Sequence, residues 1–288
     1  MALNLKTLAT RSASAAVFVV LLVGCVYWSY ISFSVFFFIV SLIGLNEFYK
    51  IAEKMGAKPS KAIGFILGAL VYLSFINPKG SSFLYYLDSF TFFKDVQWFS
   101  KTLLIVGPFI ILAVSLFSKR EGSIKNGLFT LGGIVYSIIP FALLNQTVCF
   151  STSSEIIFAP KLILGIIFLI WSNDTFAYIG GSIFGKHKMI ERVSPGKTWE
   201  GTIIGVLLTF ALSFTFEHFC KLNIPWAVFG ITIPILATIG DLVESKLKRE
   251  SGIKDSGNIM PGHGGVLDRF DSLIFVSPFV FAILYFIS

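Results

Sequence analysis

Charge is what this chain has least of. Asp, Glu, Lys and Arg make up 14% of its 288 residues, whereas 55% are hydrophobic, a balance no soluble domain of this size needs to fill one core. Cysteine is scarce too. Cys25, Cys149 and Cys220 are odd in number, far apart, and in or beside apolar stretches without CxxC or Cys/His spacing, so neither a disulfide framework nor a zinc site is indicated. Strict polar/apolar alternation is missing as well: runs such as Phe36-Phe37-Phe38, among 32 phenylalanines, fit neither barrel strands nor single-striped surface helices. Internal repeats and low-complexity tracts are also lacking.

What is present is a series of apolar blocks of about 16 to 24 residues, the length a helix needs to cross roughly 30 Å of hydrocarbon. They predict an all-α polytopic integral membrane protein with about nine transmembrane helices, near 13–28, 31–46, 62–77, 102–117, 127–147, 160–182, 202–219, 224–244 and 266–287. The first block follows Lys6 and Arg11 and reads as an uncleaved span, not a signal peptide. Around Ser29 and Tyr30 the first two blocks could instead form one kinked or re-entrant pair. The stretch 77–101 could cap the outer side.

Cytoplasmic loops retain Lys and Arg, and with the N-terminus inside, 18 of the 23 basic residues fall on that side. The net charge of +7 therefore reflects membrane orientation and attraction to anionic lipid, not a nucleic-acid surface. A bacterial inner, cytoplasmic membrane is the expected location, with the polar loops facing the cytoplasm.

The polar residues gather in three places. In Trp171-Ser172-Asn173-Asp174, a carboxylate sits inside an apolar helix, where such groups usually mark a site, although a structural hydrogen bond is the alternative. After it, Gly180 to Lys186 formally satisfies G-x-x-x-x-G-K, but His187 stands where a phosphate loop needs Ser or Thr, and no strand precedes it.

Next, Ser194-Pro195-Gly196-Lys197-Thr198-Trp199-Glu200-Gly201 puts a turn, two hydroxyls and a cation just before a new helix, a setting that favours an anion. Helix capping by Ser194 or Thr198, with Glu200 on the positive end of the dipole, is the plainer account.

The densest stretch runs from Gly240 to Asp271. On a continued helix Asp241, Ser245 and Lys248 share one face, and Asp268 and Asp271 lie three apart at the next helix start, beside Arg269 and below a Pro/Gly-rich turn. Hard oxygen ligands without Cys or paired His suit Mg²⁺, and a second cation is allowed. A structural Lys248–Asp241 ion pair is the alternative. His263 could move a proton or simply hold its turn.

These residues resemble phosphatidate cytidylyltransferase, the CDP-diacylglycerol synthase family. Its hallmark S-x-hydrophobic-K-R-x4-K-D-x-small-x2-hydrophobic-P-x-H-G-G-hydrophobic-x-D-R-hydrophobic-D is met from Ser245 to Asp271, with Met260 where Leu, Ile or Phe is more usual. Ser194 to Gly201 resembles the family's S-P-x-K-T-x-E-G element.

The resemblance implies a magnesium-dependent nucleotidyltransferase making CDP-diacylglycerol and pyrophosphate from CTP and phosphatidic acid in phospholipid biosynthesis. It implies a catalytic group of Asp241, Asp268, Lys248, Arg249, Asp271 and Asp174, with Asp241 and Asp268 as first choices for metal. Ser194, Lys197, Thr198, Glu200, Ser245, Lys254, His263 and Arg269 would bind nucleotide or phosphate. Residues 1–125 would then be an N-terminal transmembrane region and 126–288 the catalytic one, and a homodimer is allowed. A lipid kinase would share the nucleotide elements, while a transporter would need the half-repeats and midplane acids that this chain lacks.

Overall fold

Backbone that meets lipid must satisfy its own N–H and C=O groups, so long apolar stretches become helices. In the computed structural model, which describes residues 5–88, 91–117, 122–151, 156–220, 222, 224–259 and 264–287, almost every element is helical. In chain order these are α1 (Leu5–Trp28), α2 (Tyr30–Lys54), α3 (Lys61–Ser74), a 3₁₀ turn (Pro78–Gly80), α4 (Ser82–Asp88), α5 (Thr91–Phe117), α6 (Ser123–Gly133), a π turn (Ile134–Ile138) and α7 (Ile139–Thr147). The hairpin β1 (Cys149–Ser151) and β2 (Ile156–Phe158) follows, then α8 (Pro160–Phe184), the hairpin β3 (Lys188–Ile190) and β4 (Ser194–Thr198), α9 (Trp199–Cys220), α10 (Trp226–Glu250) and α11 (Leu267–Ile287).

Among the described residues seven helices are long and apolar enough to cross a membrane: α2, Lys94–Phe117 of α5, Ser123–Thr147, α8, α9, α10 and Leu267–Phe286 of α11. Ser12–Trp28 and α3 are shorter apolar helices. All nine expected helix positions are therefore helical.

The break between the first two helices is a cap. The Ser29 side chain accepts from Ser32 N and the Ser32 hydroxyl accepts from Ser29 N, both at 3.1 Å, the reciprocal pattern of a capping box. Just past the C-cap of α2, Gly56 has a φ of 76°, open to glycine without a Cβ penalty. In the span Ser123–Thr147 the widened π turn ends two residues before Pro140, a residue that cannot donate to the ladder.

Two contacts position the polar end of the bundle. Phe270, 3% exposed, packs its ring 5.5 Å from Phe18, 6.1 Å from Phe37 and 5.6 Å from Phe141, which pins the start of α11 against α1, α2 and α7. On the other side α8 and α9 approach through glycines. A Cβ on Gly201 would lie 2.6 Å from the Ala177 carbonyl and 2.8 Å from Gly181 Cα, and one on Gly205 would lie 2.8 Å from Asn173 Oδ1. Small residues let spanning helices touch backbone to backbone in this way. Gly180 and Gly181 belong to the last turns of α8 and serve helix packing.

Candidate active site

The β3–β4 hairpin folds over the α8–α9 contact. Its antiparallel register pairs Lys188 with Thr198 and Ile190 with Ser194, so the Ser194–Thr198 segment is a strand and not only a helix lead-in. Thr198 Oγ1 accepts from Gly201 N at 3.2 Å, capping α9 as the plainer account expected. Glu200 turns back toward the hairpin: its carboxylate accepts from Lys186 N at 3.1 Å and His187 N at 3.2 Å, and Oε1 lies 2.5 Å from His187 Nδ1. It organises the loop from beneath.

Lys197 leaves the strand and reaches α10, where Nζ is 2.5 Å from Asp241 Oδ2. Asp241 Oδ1 accepts from Ser245 Oγ at 3.2 Å, so the expected carboxylate and hydroxyl do meet. Lys248 does not join them. Its ammonium bridges Glu244 Oε2 at 2.9 Å and Asp268 Oδ1 at 2.7 Å, so the Lys248–Asp241 pairing gives way to an i−4 contact plus a link between helices. Asp268 Oδ2 accepts from Ser256 N at 2.8 Å, Ser256 Oγ at 2.9 Å and Gly265 N at 2.7 Å. Every oxygen of Asp268 is thus engaged within the protein.

The acids that converge are Asp241, Glu244 and Asp271, each with one oxygen within 4.8 Å of the others, an arrangement that could hold a metal ion. Glu244 is 1% exposed, and its Oε1 has no hydrogen-bond partner. An oxygen buried without a donor is costly, and a shared cation would satisfy it together with the other two carboxylates. Asp268 stands one shell away, attached to Glu244 through Lys248.

Two cavities open beside this cluster. One of about 440 Å³ is lined by Ser194, Gly196, Lys197, Thr198, Lys188 and the glycine end of α8. The other, of about 330 Å³, is lined by Asp268, Arg269 and Asp271 on one side and by Phe18, Leu22 and Ile167 on the other. Asp174 and Asp241 line both. Most of the expected site residues therefore come together. Arg249 instead donates from Nε to the Val193 carbonyl at 3.4 Å, tying α10 to the hairpin turn. Lys254 is exposed and lines neither cavity, and His263 lies outside the described residues.

A family model described as "Cytidylyltransferase family" matches residues 9–287. The chain belongs to the cytidylyltransferase family. Among its relatives is a protein of Staphylococcus saprophyticus named phosphatidate cytidylyltransferase, 36% identical over 246 residues that cover 84% of this chain and 86% of that protein. Proteins of the same name from Staphylococcus epidermidis and Staphylococcus aureus are 34% identical over 246 residues and 38% identical over 186 residues. The first covers 84% of this chain and 86% of the relative, the second 64% and 68%.

Two acids escaped the sequence reading, one in the cluster and one that accepts from the backbone at the start of α11. Glu244 follows Asp241 by three and precedes Lys248 by four, so helical spacing placed it on their face. Glu47 is a carboxylate inside an apolar helix, the same signal that singled out Asp174.

Proposed function

We propose that the two cavities hold the two substrates of a phosphatidate cytidylyltransferase, with the acids between them forming the reaction centre. The carrying observation is that Asp174 and Asp241 line both cavities while the remaining walls differ in character. The cavity under the hairpin offers glycine backbone, hydroxyls and the ammonium groups of Lys188 and Lys197, a lining suited to a nucleoside triphosphate. The other joins Arg269 to apolar side chains of α1 and α8, which suits a phosphate whose acyl chains stay in the bilayer.

In this reading CTP enters from the cytoplasm and phosphatidate from the membrane, the bacterial cytoplasmic membrane being supported by the one-sided excess of Lys and Arg and by bacterial relatives. A phosphatidate oxygen attacks the α-phosphorus of CTP, the bond to the β-phosphate breaks, and pyrophosphate leaves with the electron pair. The acceptor phosphate has its second pKa near 6, so it arrives ionised and no strong base is required.

Lys197 and Arg269 neutralise phosphate charge from opposite cavities, while Lys248 holds Asp268 and Glu244 in place, a division in which positioning and electrostatics do most of the work. Asp241, Glu244 and Asp271 would hold a divalent cation, Mg²⁺ by the preference of oxygen ligands. When bound, it would supply positive charge to the phosphates.

The assignment of cavities is tested by steady-state kinetics. Lys197→Met should raise the KM for CTP on the order of tenfold, the equivalent of about 1.4 kcal/mol, with little change for phosphatidate. Arg269→Met should do the reverse. If both variants raise the same KM, the two-cavity assignment fails.

A further inference from the structure

Glu47 lies in α2, far in sequence from every residue of the reaction centre, yet its carboxylate is 2% exposed and meets the backbone at the start of α11. Oε1 accepts from Val266 N at 3.0 Å and Oε2 from Leu267 N at 2.9 Å. These are among the first N–H groups of α11, which have no partner inside their own helix, and a carboxylate is favoured at that positive end of the dipole. Oε2 also lies 3.0 Å from Ser256 Oγ. Among the described residues no ammonium or guanidinium lies within ion-pair distance of it.

The surrounding backbone is shaped to admit this carboxylate. A Cβ on Gly265 would sit 2.5 Å from both Glu47 oxygens, and one on Gly257 would collide with Oε1 and lie 2.8 Å from Cδ. Two glycines of the signature segment thus leave space for a side chain of α2. Ser256 touches both acids, its hydroxyl lying 3.0 Å from Glu47 and 2.9 Å from Asp268. Leu267, which donates to Glu47, directly precedes Asp268, and Asp271 follows one turn later.

We propose that Glu47 is a positioning residue for cytidylyl transfer: it fixes the first turn of α11 and Ser256, and through them the orientation of Asp268 and Asp271. It lines neither cavity, so it acts on the reacting geometry and not on substrate binding. The inference rests on Asp268 and Asp271 belonging to the reaction centre.

The test is steady-state kinetics of purified Glu47→Gln, Ser256→Ala and the double variant. The amide in Glu47→Gln would present an NH₂ group toward N–H donors, and displacements of about 1 Å cost on the order of 10²-fold in rate. The expected result is a kcat lower by about that factor in Glu47→Gln and by roughly tenfold in Ser256→Ala, with both KM values within about threefold of wild type. The double variant should be no slower than Glu47→Gln alone, because both act along one path.

If Glu47→Gln does not fold, Ser256→Ala carries the test through the same split between kcat and KM. A kcat within about twofold of wild type in either folded variant, or losses that multiply in the double, would overturn the inference. Asp268→Asn separates the two levels: if it stays active, the reaction-centre assignment fails, and if it is inactive while Glu47→Gln is normal, only the role of Glu47 fails.

Discussion

Replacing Lys248 with Met removes an ammonium but keeps an unbranched side chain of similar length. The ammonium lies between Glu244 and Asp268 at 2.9 and 2.7 Å, and the three side chains are 16%, 1% and 6% exposed. Without it, two buried carboxylates face each other's helix with no compensating charge. Breaking a buried pair by removing one partner costs about 3–5 kcal/mol, because the remaining charge stays desolvated. Here that is a large share of the roughly 5–15 kcal/mol that holds a typical domain together.

Unfolding followed in detergent, with chelator present so that no added cation offsets the charge, should show that loss. Adding Glu244→Gln to Lys248→Met removes the stranded carboxylate as well. The double variant should therefore recover about 2 kcal/mol relative to the sum of the single effects. A Lys248→Met variant destabilised by less than about 1 kcal/mol, or single effects that add within about 0.5 kcal/mol, would refute the bridging role.

Metal removal should abolish product formation and Mg²⁺ should restore it, while Glu244→Gln should raise the Mg²⁺ needed for half-maximal rate by about tenfold in a metal titration. Glu200→Gln should loosen the β3–β4 hairpin by weakening its acceptor role toward Lys186 and His187, seen as faster proteolysis of the 185–198 segment and a KM for CTP raised several-fold. Gly201→Ala forces a methyl against Ala177 O and Gly181 Cα, and should lower stability by about 1–3 kcal/mol with the α8–α9 contact as its cause, measured by thermal unfolding.

Helix positions were legible because lipid imposes a length and a composition on each span. The Ser123–Thr147 span was legible in extent, but not the π turn within it, which depends on how Pro140 is accommodated. The β3–β4 hairpin was not legible at all. Its second strand is Ser-Pro-Gly-Lys-Thr, a composition that disfavours strands, and tertiary contacts such as those of Glu200 and Arg249 hold it.

Within the site, one-face spacing placed Asp241 with Ser245 correctly. It could not decide that Lys248 turns to Glu244 and Asp268, because the side chain also reaches across to α11. The Glu47 contacts join residues 209 to 220 positions apart. A lone acid in an apolar helix announces that a partner exists, but only the fold says which one.

In the proposed reaction the acids between the two cavities carry out cytidylyl transfer. The most direct measurement is formation of pyrophosphate and CDP-lipid by purified protein given CTP, phosphatidic acid and Mg²⁺, beside folded Asp241→Asn. Wild type should form equal amounts of both products and the variant neither. Release of CDP with a newly phosphorylated lipid, or full activity in Asp241→Asn, would contradict it.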